Sequence, residues 1–559
     1  MQRTFSRLAI VNRGEAAMRL IHAARELNTH RTDPLTVIAL YTGDERDAMF
    51  VRQSDEAVLV GPSLIEDGLG GWRSGYLDLP ALERALLAAR AEAVWVGWGF
   101  VSEMPEFVDL CERLGIVFVG PSADVMRRLG DKIAAKQLAE EAGVPVAPWS
   151  GGPVATVEDA LEQAGRIGLP LMIKAAVGGG GRGLRRVDDL QMLAAAFASA
   201  RAEALQAFGD GTLLIEKVIA PARHIEVQII ADTHGTAWAV GVRDCSCQQR
   251  NQKVIEESAS PALSAEQEGH LMDAARRFAI RAGYQNAGTV EFLYEPSSQR
   301  FSFIGVNTRL QVEHPVTEAV TGLDLVKLQL DVAAGGRLEG DPPPRIGHAI
   351  EARLNAEDPA LGFAPAPGRL AVLRYPNGPG IRVDTGVSEG DRIPPEFDSM
   401  IAKLIAWGST RDEALARLRR AVSDTVAVVD GGTTNQGFLL ALLDHPEVIA
   451  GEVDTSWLDR LYLSGEAVPV RHGDIALLQA AIELAERDTG VDRARFYAFA
   501  RRGRPEASTD LSRSYDLRHH GQSYRCAVAQ IGPERYRVEV EGHVSEVALR
   551  RLGEHERRF

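Results

Sequence analysis

Phe301-Ser302-Phe303-Ile304-Gly305-Val306-Asn307 runs without a break into Thr308-Arg309-Leu310-Gln311-Val312-Glu313-His314. The run 301–306 is mostly apolar and aromatic, and reads as a β-strand that delivers Asn307 at its end. Beyond it, Arg309, Gln311 and Glu313 alternate with Leu310 and Val312, so an extended segment places the three polar side chains on one face. Arginine offers a planar fork to a small oxyanion. Glutamine can hold the same ligand through its amide, and glutamate can take a proton. A solvated strand face has this composition too; the position directly after Asn307 favours a site.

Upstream, Thr289-Val290-Glu291-Phe292-Leu293 is another β-type run, and alternation turns Glu291 away from Val290 and Phe292. Glu291 and Asn307 oxygens on adjacent strands would suit Mg²⁺, a hard cation that also binds substrate phosphates. The local pattern fits an outward-facing glutamate equally well. Earlier still, the strand-like run 171–175 carries Lys174 and leads into Gly178-Gly179-Gly180-Gly181-Arg182-Gly183. Consecutive glycines let backbone N–H groups approach a polyphosphate. The tract matches neither the P-loop nor the dinucleotide spacing, and alone it fits a surface loop as well as a phosphate lid. Lys174 tips it toward phosphate. Lys132 and Lys253 are further candidate cations, each with a solvated surface lysine as the plain alternative.

The remaining chain frames these runs. Apolar runs at 7–11, 35–41, 93–97 and 116–120 alternate with helical patterns at 16–27 and 79–90, predicting an open parallel α/β sheet that ends near residue 120. A helix is expected at 132–142, and the runs 212–218, 224–231 and 237–242 are spaced as an antiparallel sheet. The Pro-rich stretch 341–344 marks a boundary. A strand is expected at 348–355, a helix at 411–421, and an amphipathic helix capped by Asp474 at 474–487. The end is β-rich at 524–530, 536–541 and 544–549, with a charged tail at 554–558. At 559 residues the chain exceeds one hydrophobic core. Its net charge of −15 argues against a nucleic-acid partner while leaving local phosphate sites open. Cys111, Cys245, Cys247 and Cys526 are too few for a disulfide framework and read as free thiols. There is no signal-peptide core and no apolar stretch long enough for a bilayer, so a cytoplasmic enzyme without a membrane partner is expected.

Eight segments, in order, resemble the biotin carboxylase family of ATP-grasp enzymes. They are Val11-Asn12-Arg13-Gly14-Glu15, Gly130-Asp131-Lys132, 174–183, Arg223-His224-Ile225-Glu226-Val227-Gln228, Arg243-Asp244-Cys245-Ser246, Gln252-Lys253-Val254-Ile255-Glu256-Glu257, 307–318, and Glu351-Ala352-Arg353-Leu354-Asn355-Ala356-Glu357. The resemblance covers residues 1 to about 460 and is specific in combination. Val94-Trp95-Val96-Gly97-Trp98-Gly99-Phe100 looks more like large multidomain acyl-CoA carboxylases than stand-alone bacterial subunits.

The resemblance implies an α/β and α+β multidomain chain. A Rossmann-like N-terminal domain spans 1–120. An ATP-grasp domain spans 121–343, with a mobile lid at about 146–218. A biotin carboxylase C-terminal domain spans 344–462. A helical linker and β-rich tail at 463–559 resemble the region before a carrier domain in fused carboxylases. The implied cofactors are ATP, Mg²⁺ or Mn²⁺, and biotin linked to a carrier. Lys132, Lys174, His224, Gln248, Asn251 and the segment Glu216-Lys217-Val218-Ile219 would hold ATP, with Gly180 and Gly181 in the closing lid. Glu291 and Asn307 would bind the metal. Lys253, Arg309, Gln311 and the Val312 backbone would bind bicarbonate, and Glu313 would be the general base. Arg353 would stabilise the ureido oxyanion of biotin.

Two positions depart from the family pattern. Gly305 stands where the family has a metal-binding Glu, and Asn251 where it usually has a His. The expected result of Gly305 is retained nucleotide binding with lowered rate or metal affinity. No Met-Lys-Met motif is present, so carrier-linked biotin and a carboxyltransferase are expected downstream in a longer protein or as separate partners. Homo-oligomeric contacts are implied as well. Two other readings stand beside this one. Another ATP-grasp ligase, making carbamoyl phosphate, is disfavoured by Arg353 and the Arg309-Gln311-Glu313 set. A catalytically weakened nucleotide-binding scaffold is suggested by Gly305. The acyl-CoA acceptor is not readable from the chain.

Overall fold

The computed structural model describes residues 5–68, 70–178, 183–464, 473–501, 503, 512–519, 522–540, 542–553 and 556–559. The four N-terminal apolar runs, with a further strand at Glu56–Gly61 not expected from the sequence, form a five-stranded parallel sheet in the order Glu56–Gly61, Thr36–Thr42, Arg7–Ile10, Ala93–Trp95, Val117–Phe118. Leu8 and Ile10 pack under the helix Gly14–Asn28, while Ala9 and Val11 pack under Leu79–Ala88 and Pro105–Leu114. Both faces of the central strands are covered, which is why those strands read as continuous apolar runs.

The site is carried by an eight-stranded antiparallel sheet. Its order is Arg300–Asn307, Asn286–Glu295, Arg223–Ala231, Ala237–Gln249, Gln252–Ser258, His348–Asn355, Met400–Gly408, Ile381–Thr385. Strands on both sides of the Pro-rich stretch 341–344 are therefore neighbours in one sheet. The run near 212–218 does not join it. Leu213–Lys217 pairs with Leu171–Ala175, which pairs with Arg185–Val187, in a separate three-stranded sheet. Pro221, lacking an N–H, interrupts the chain before Arg223. The small sheet has its own core of Leu171, Ile173, Val187, Phe197 and Ile215 with the helices Val157–Ile167 and Leu193–Phe208.

One compact unit runs through Asp358 and resumes at Ala364; a second comprises Pro359–Phe363 with the C-terminal residues. The second holds the helix Gly473–Ala500 and a four-stranded antiparallel sheet, around Ile482, Cys526, Tyr536 and Val538. The helix is longer than the expected 474–487, because a lone Gly490 costs only about 1 kcal/mol and no proline stops it. Asp474 lies inside its first turn, not at the cap. A strand at Ser512–His519 precedes the three expected from the sequence. Part of the charged tail, 554–555, lies outside the described residues. No described helix is long and apolar enough to cross a membrane.

Candidate active site

The strand Arg223–Ala231 alternates His224, Glu226 and Gln228 with Ile225, Val227 and Ile229, and the latter three enter the core. Register sets Glu226 opposite both Glu291 and Arg243. Arg243 is fully buried. It donates to Glu226 at 2.5 Å, Gln228 at 2.7 Å, Thr317 and Thr289 at 3.0 Å, and Gln311 at 3.2 Å. A buried guanidinium is tolerable only when paired and hydrogen-bonded this fully. The result ties three strands to the loop that carries Gln311.

Around that anchor sit the remaining charges. Lys253 donates to Glu226 at 2.7 Å, makes a short contact with Glu313, and lies 3.8 Å from Glu291. Arg353 donates Nε to Glu256 at 2.6 Å and Nη2 to Glu313 at 2.9 Å. Burial works to raise the Glu313 pKa, but Lys253, Arg353 and Arg243 hold the carboxyl well below its usual range. Burial likewise opposes charge on Lys253, and the carboxylates of Glu226, Glu313 and Glu291 overcome it.

The segment 309–313 is not extended, contrary to the alternation argument. Gln311 O accepts from both His314 N at 3.3 Å and His314 Nδ1 at 2.8 Å, and Pro315 opens the helix His314–Thr321. The chain therefore turns, and Arg309 pairs with Glu103 at 2.8 Å. Arg309 still feels Glu313 and Glu291, both of which support its charge.

Glu291 lies opposite Gly305, and Asn307 opposite Thr289, so Glu291 and Asn307 share one face as diagonal neighbours. Burial pushes the Glu291 carboxyl up, but His224, Lys253 and the Asn307 amide bring it down to about 2. His224 Nε2 is 3.4 Å from Glu291. An ionised carboxylate beside an amide is a hard donor set that fits a divalent cation completing its shell with phosphate oxygens and water. A Cβ on Gly305 would meet only Glu291 Oε2, at 3.9 Å. A side chain can therefore start at this position without meeting backbone.

The nucleotide candidates divide. Lys174 contacts Glu216, and buried Lys136 pairs with the same carboxylate at 2.8 Å. Lys132 donates Nζ to Gly178 O at 2.5 Å; burial and nearby Lys174 lower its pKa to about 8. Lys217 turns away, donating to Leu169 O at 2.5 Å, while Val218 N donates to Pro170 O at 3.1 Å and half-buried Ile219 follows. Gln248 is buried and its amide meets His224 Nδ1 at 2.8 Å. Asn251 is exposed in the two-residue turn Arg250-Asn251, with φ of 47° and 66°. Two positive φ angles there match a hairpin turn that favours Asn. Gly180 and Gly181 lie outside the described residues.

Family models match most of the chain: "Biotin carboxylase, N-terminal domain" at 4–126, "Carbamoyl-phosphate synthase L chain, ATP binding domain" at 131–340, and "Biotin carboxylase C-terminal domain" at 351–460. Biotin carboxylase 1 of Bacillus subtilis is 42% identical over 461 residues, 82% of this chain and 99% of that one. The chain belongs to the biotin carboxylase family. The mitochondrial methylcrotonoyl-CoA carboxylase subunit alpha of Arabidopsis thaliana is 40% identical over 82% of this chain and 61% of its own length. Among solved structures, a biotin carboxylase–ATP complex from Campylobacter jejuni superposes with a TM-score of 0.77 at 38% identity, covering 82% of this chain and 99% of that one. The biotin carboxylase domain dimer of Hydrogenobacter thermophilus 2-oxoglutarate carboxylase, with MgADP, ADP and bicarbonate, gives 0.76 at 38% identity, covering 82% and 98%.

Within this biotin carboxylase site, several residues carry structure that sequence reading left without a role. Glu226, Arg243 and Glu256 lay in family-like segments, and the alternation of 224–228 was the available signal. Glu103, Lys136 and Lys403 had none. Lys403 is fully buried, donates to Val312 O at 2.9 Å, and sits 4.8 Å from the centre of the Trp98 ring.

Proposed function

We propose that this chain uses ATP and bicarbonate to carboxylate carrier-linked biotin through carboxyphosphate, as the first half-reaction of an acyl-CoA carboxylase. The observation that carries this reading is Glu313 held between Lys253 and Arg353. Lys253, Arg309, the Gln311 amide and the Val312 N–H would bind bicarbonate. As Lys253 turns to the anion, Glu313 loses a cation, becomes more basic, and takes the bicarbonate proton. The bicarbonate oxygen then attacks the γ-phosphorus and ADP leaves. Carboxyphosphate breaks to CO₂ and phosphate, the phosphate removes the biotin ureido proton, and the nitrogen attacks CO₂. Arg353 stabilises the oxyanion that develops on the ureido oxygen. Lys132, Lys174, Glu216, His224 and Gln248 position the nucleotide under a lid built on the three-stranded sheet. Mg²⁺ or Mn²⁺ on Glu291 and Asn307 would neutralise phosphate charge.

The partners in this reading are the biotin carrier and carboxyltransferase, within a longer protein or on separate subunits, and a second copy of the chain. The dimer named for the Hydrogenobacter relative supports the last. Cys111, Cys245 and Cys247 are buried free thiols and Cys526 is buried, which suits the cytoplasm. ADP release with bicarbonate, measured with and without free biotin, tests the reading: biotin should stimulate it. Release indifferent to biotin points to another ATP-grasp ligase. Gly305, opposite Glu291, favours one further reading, a weakened nucleotide-binding scaffold. Binding without turnover under Mg²⁺ or Mn²⁺ would establish that instead.

A further inference from the structure

Behind Arg353, two carboxylates face each other across neighbouring strands. Glu256 and Glu351 are directly opposite in the register of Gln252–Ser258 with His348–Asn355, and both are fully buried. Such pairs hold their Cβ atoms about 4.5–5.5 Å apart, within reach of two carboxyl groups. Among the described residues, Glu256 Oε2 and both oxygens of Glu351 have no hydrogen-bond partner. Glu256 Oε1 alone is engaged, by Arg353. Two bare buried anions side by side would be severely destabilised.

Among the described residues, no cation pairs directly with Glu351. Lys403, on the next strand, donates to Val312 O at 2.9 Å and leans 3.8 Å from Asp384. On the helix His314–Thr321, which packs against this strand, His314 Nδ1 is given to Gln311 O, and Glu318 pairs with Arg19 and Arg382. Arg353 divides between Glu256 and Glu313. Burial raises the Glu351 carboxyl well above its usual range; Lys403 and Arg353 oppose this, and Glu256 and Asp384 add to it. Burial raises Glu256 too, against Arg353.

We propose that Glu351 is a positioning residue for Arg353: it shares one proton with Glu256, so that the pair carries a single negative charge and grips the guanidinium loosely enough for it to turn to the biotin ureido oxygen. The proton lies between Glu351 and Glu256 Oε2 and draws charge away from Oε1, the atom that holds Arg353. The task given to Arg353 rests on the biotin carboxylase reading; the shared proton does not.

Two measurements separate these. Difference infrared spectroscopy of the intact chain near neutral pH should show a protonated-carboxyl C=O stretch that Glu351→Gln removes; wild-type protein without that band overturns the proposal. In steady-state kinetics, Glu351→Gln keeps a donor toward Glu256 and should hold the KM for free biotin near wild type. Glu351→Met keeps the length, removes the donor, and should raise that KM about tenfold, the scale of one charge-assisted hydrogen bond, with biotin-free ATP hydrolysis unchanged. Glu351→Gln failing as badly as Glu351→Met would show that an ionised carboxylate is needed and overturn the proposal. A parallel fall of biotin-free hydrolysis would do the same by showing a merely structural role. Wild-type turnover that ignores biotin would defeat the functional reading, and the infrared band would still decide the proton.

Discussion

Around Glu313 each cation already has its carboxylates: Lys253 has Glu226 and Glu313, Arg353 has Glu256 and Glu313, and Arg243 has Glu226. On the nucleotide side, Lys136 and Lys174 share Glu216 alone, and Lys132 stands beside them. Asp131, next to Lys132, caps its helix through Ile133 N and Ala134 N and adds one further negative charge there. Glu216 is pushed up by burial and brought down to about 2 by Lys174 and Lys136, so it stays an anion and still leaves cationic excess. The two clusters are therefore poised differently. The nucleotide side is short of negative charge and gains from any polyphosphate that enters. The Glu313 side is internally satisfied, so an anion binds there only by breaking an ion pair, and breaking it is what makes Glu313 basic.

The comparison breaks most visibly at Glu313. Glu313→Gln should lower bicarbonate-dependent ADP release by about 100- to 10,000-fold, the range for loss of a general base, with ATP affinity by calorimetry unchanged. A matching loss of ATP affinity would show that the two clusters do not act separately. Lys174→Met should do the reverse, weakening ATP binding by about 10- to 100-fold, the scale of one charged hydrogen bond. The KM for bicarbonate should stay put, and a large change in it would undo the division.

Much of the Glu313 side was legible because its residues sit in short local patterns. Alternation placed Glu291 away from Val290 and Phe292, and the structure agrees. Lys174 ends a strand whose bounds, Leu171–Ala175, match the sequence reading. Alternation failed at 309–313, where a residue beyond the window, His314, folds back on Gln311 and bends the chain. The Arg309–Glu103 pair joins positions 206 apart, and no local pattern encodes that. Leu213–Lys217 reads as a strand, but β-propensity names no partner, so its place in the smaller sheet was invisible. Asn251 read as a departure from the family's usual His; its positive φ gives it a backbone reason to be there.

Gly305 sharpens the metal part of the comparison with a smaller effect. A Cβ at this position would meet only Glu291 Oε2, at 3.9 Å, so Gly305→Glu would start its side chain toward Glu291. Mn²⁺ affinity measured by calorimetry with a nonhydrolysable nucleotide should rise about tenfold, roughly 1.4 kcal/mol. Unchanged affinity would mean that Glu291 and Asn307 suffice, and that Gly305 carries no cost in metal binding.

The smallest expected effect concerns the proton on Lys132. Its pKa, lowered to about 8 first by burial and then by Lys174, means the free protein holds the charge below that pH and loses it above. A bound polyphosphate favours the charged amine, so ATP binding raises this pKa and takes up a fraction of a proton just above it. Affinity is then full below the lower pKa and declines as pH rises through it. A rise of about half a unit on binding corresponds to roughly 2.5-fold weaker ATP binding at about pH 9 than at about pH 7. Calorimetry at about pH 8.5 in two buffers of different ionisation enthalpy should register the proton uptake. Lys132→Arg should abolish it, because a guanidinium stays charged throughout. Uptake that persists in Lys132→Arg would move the missing charge to another lysine of the cluster, and proton release would reverse the sign of the argument for the whole nucleotide side.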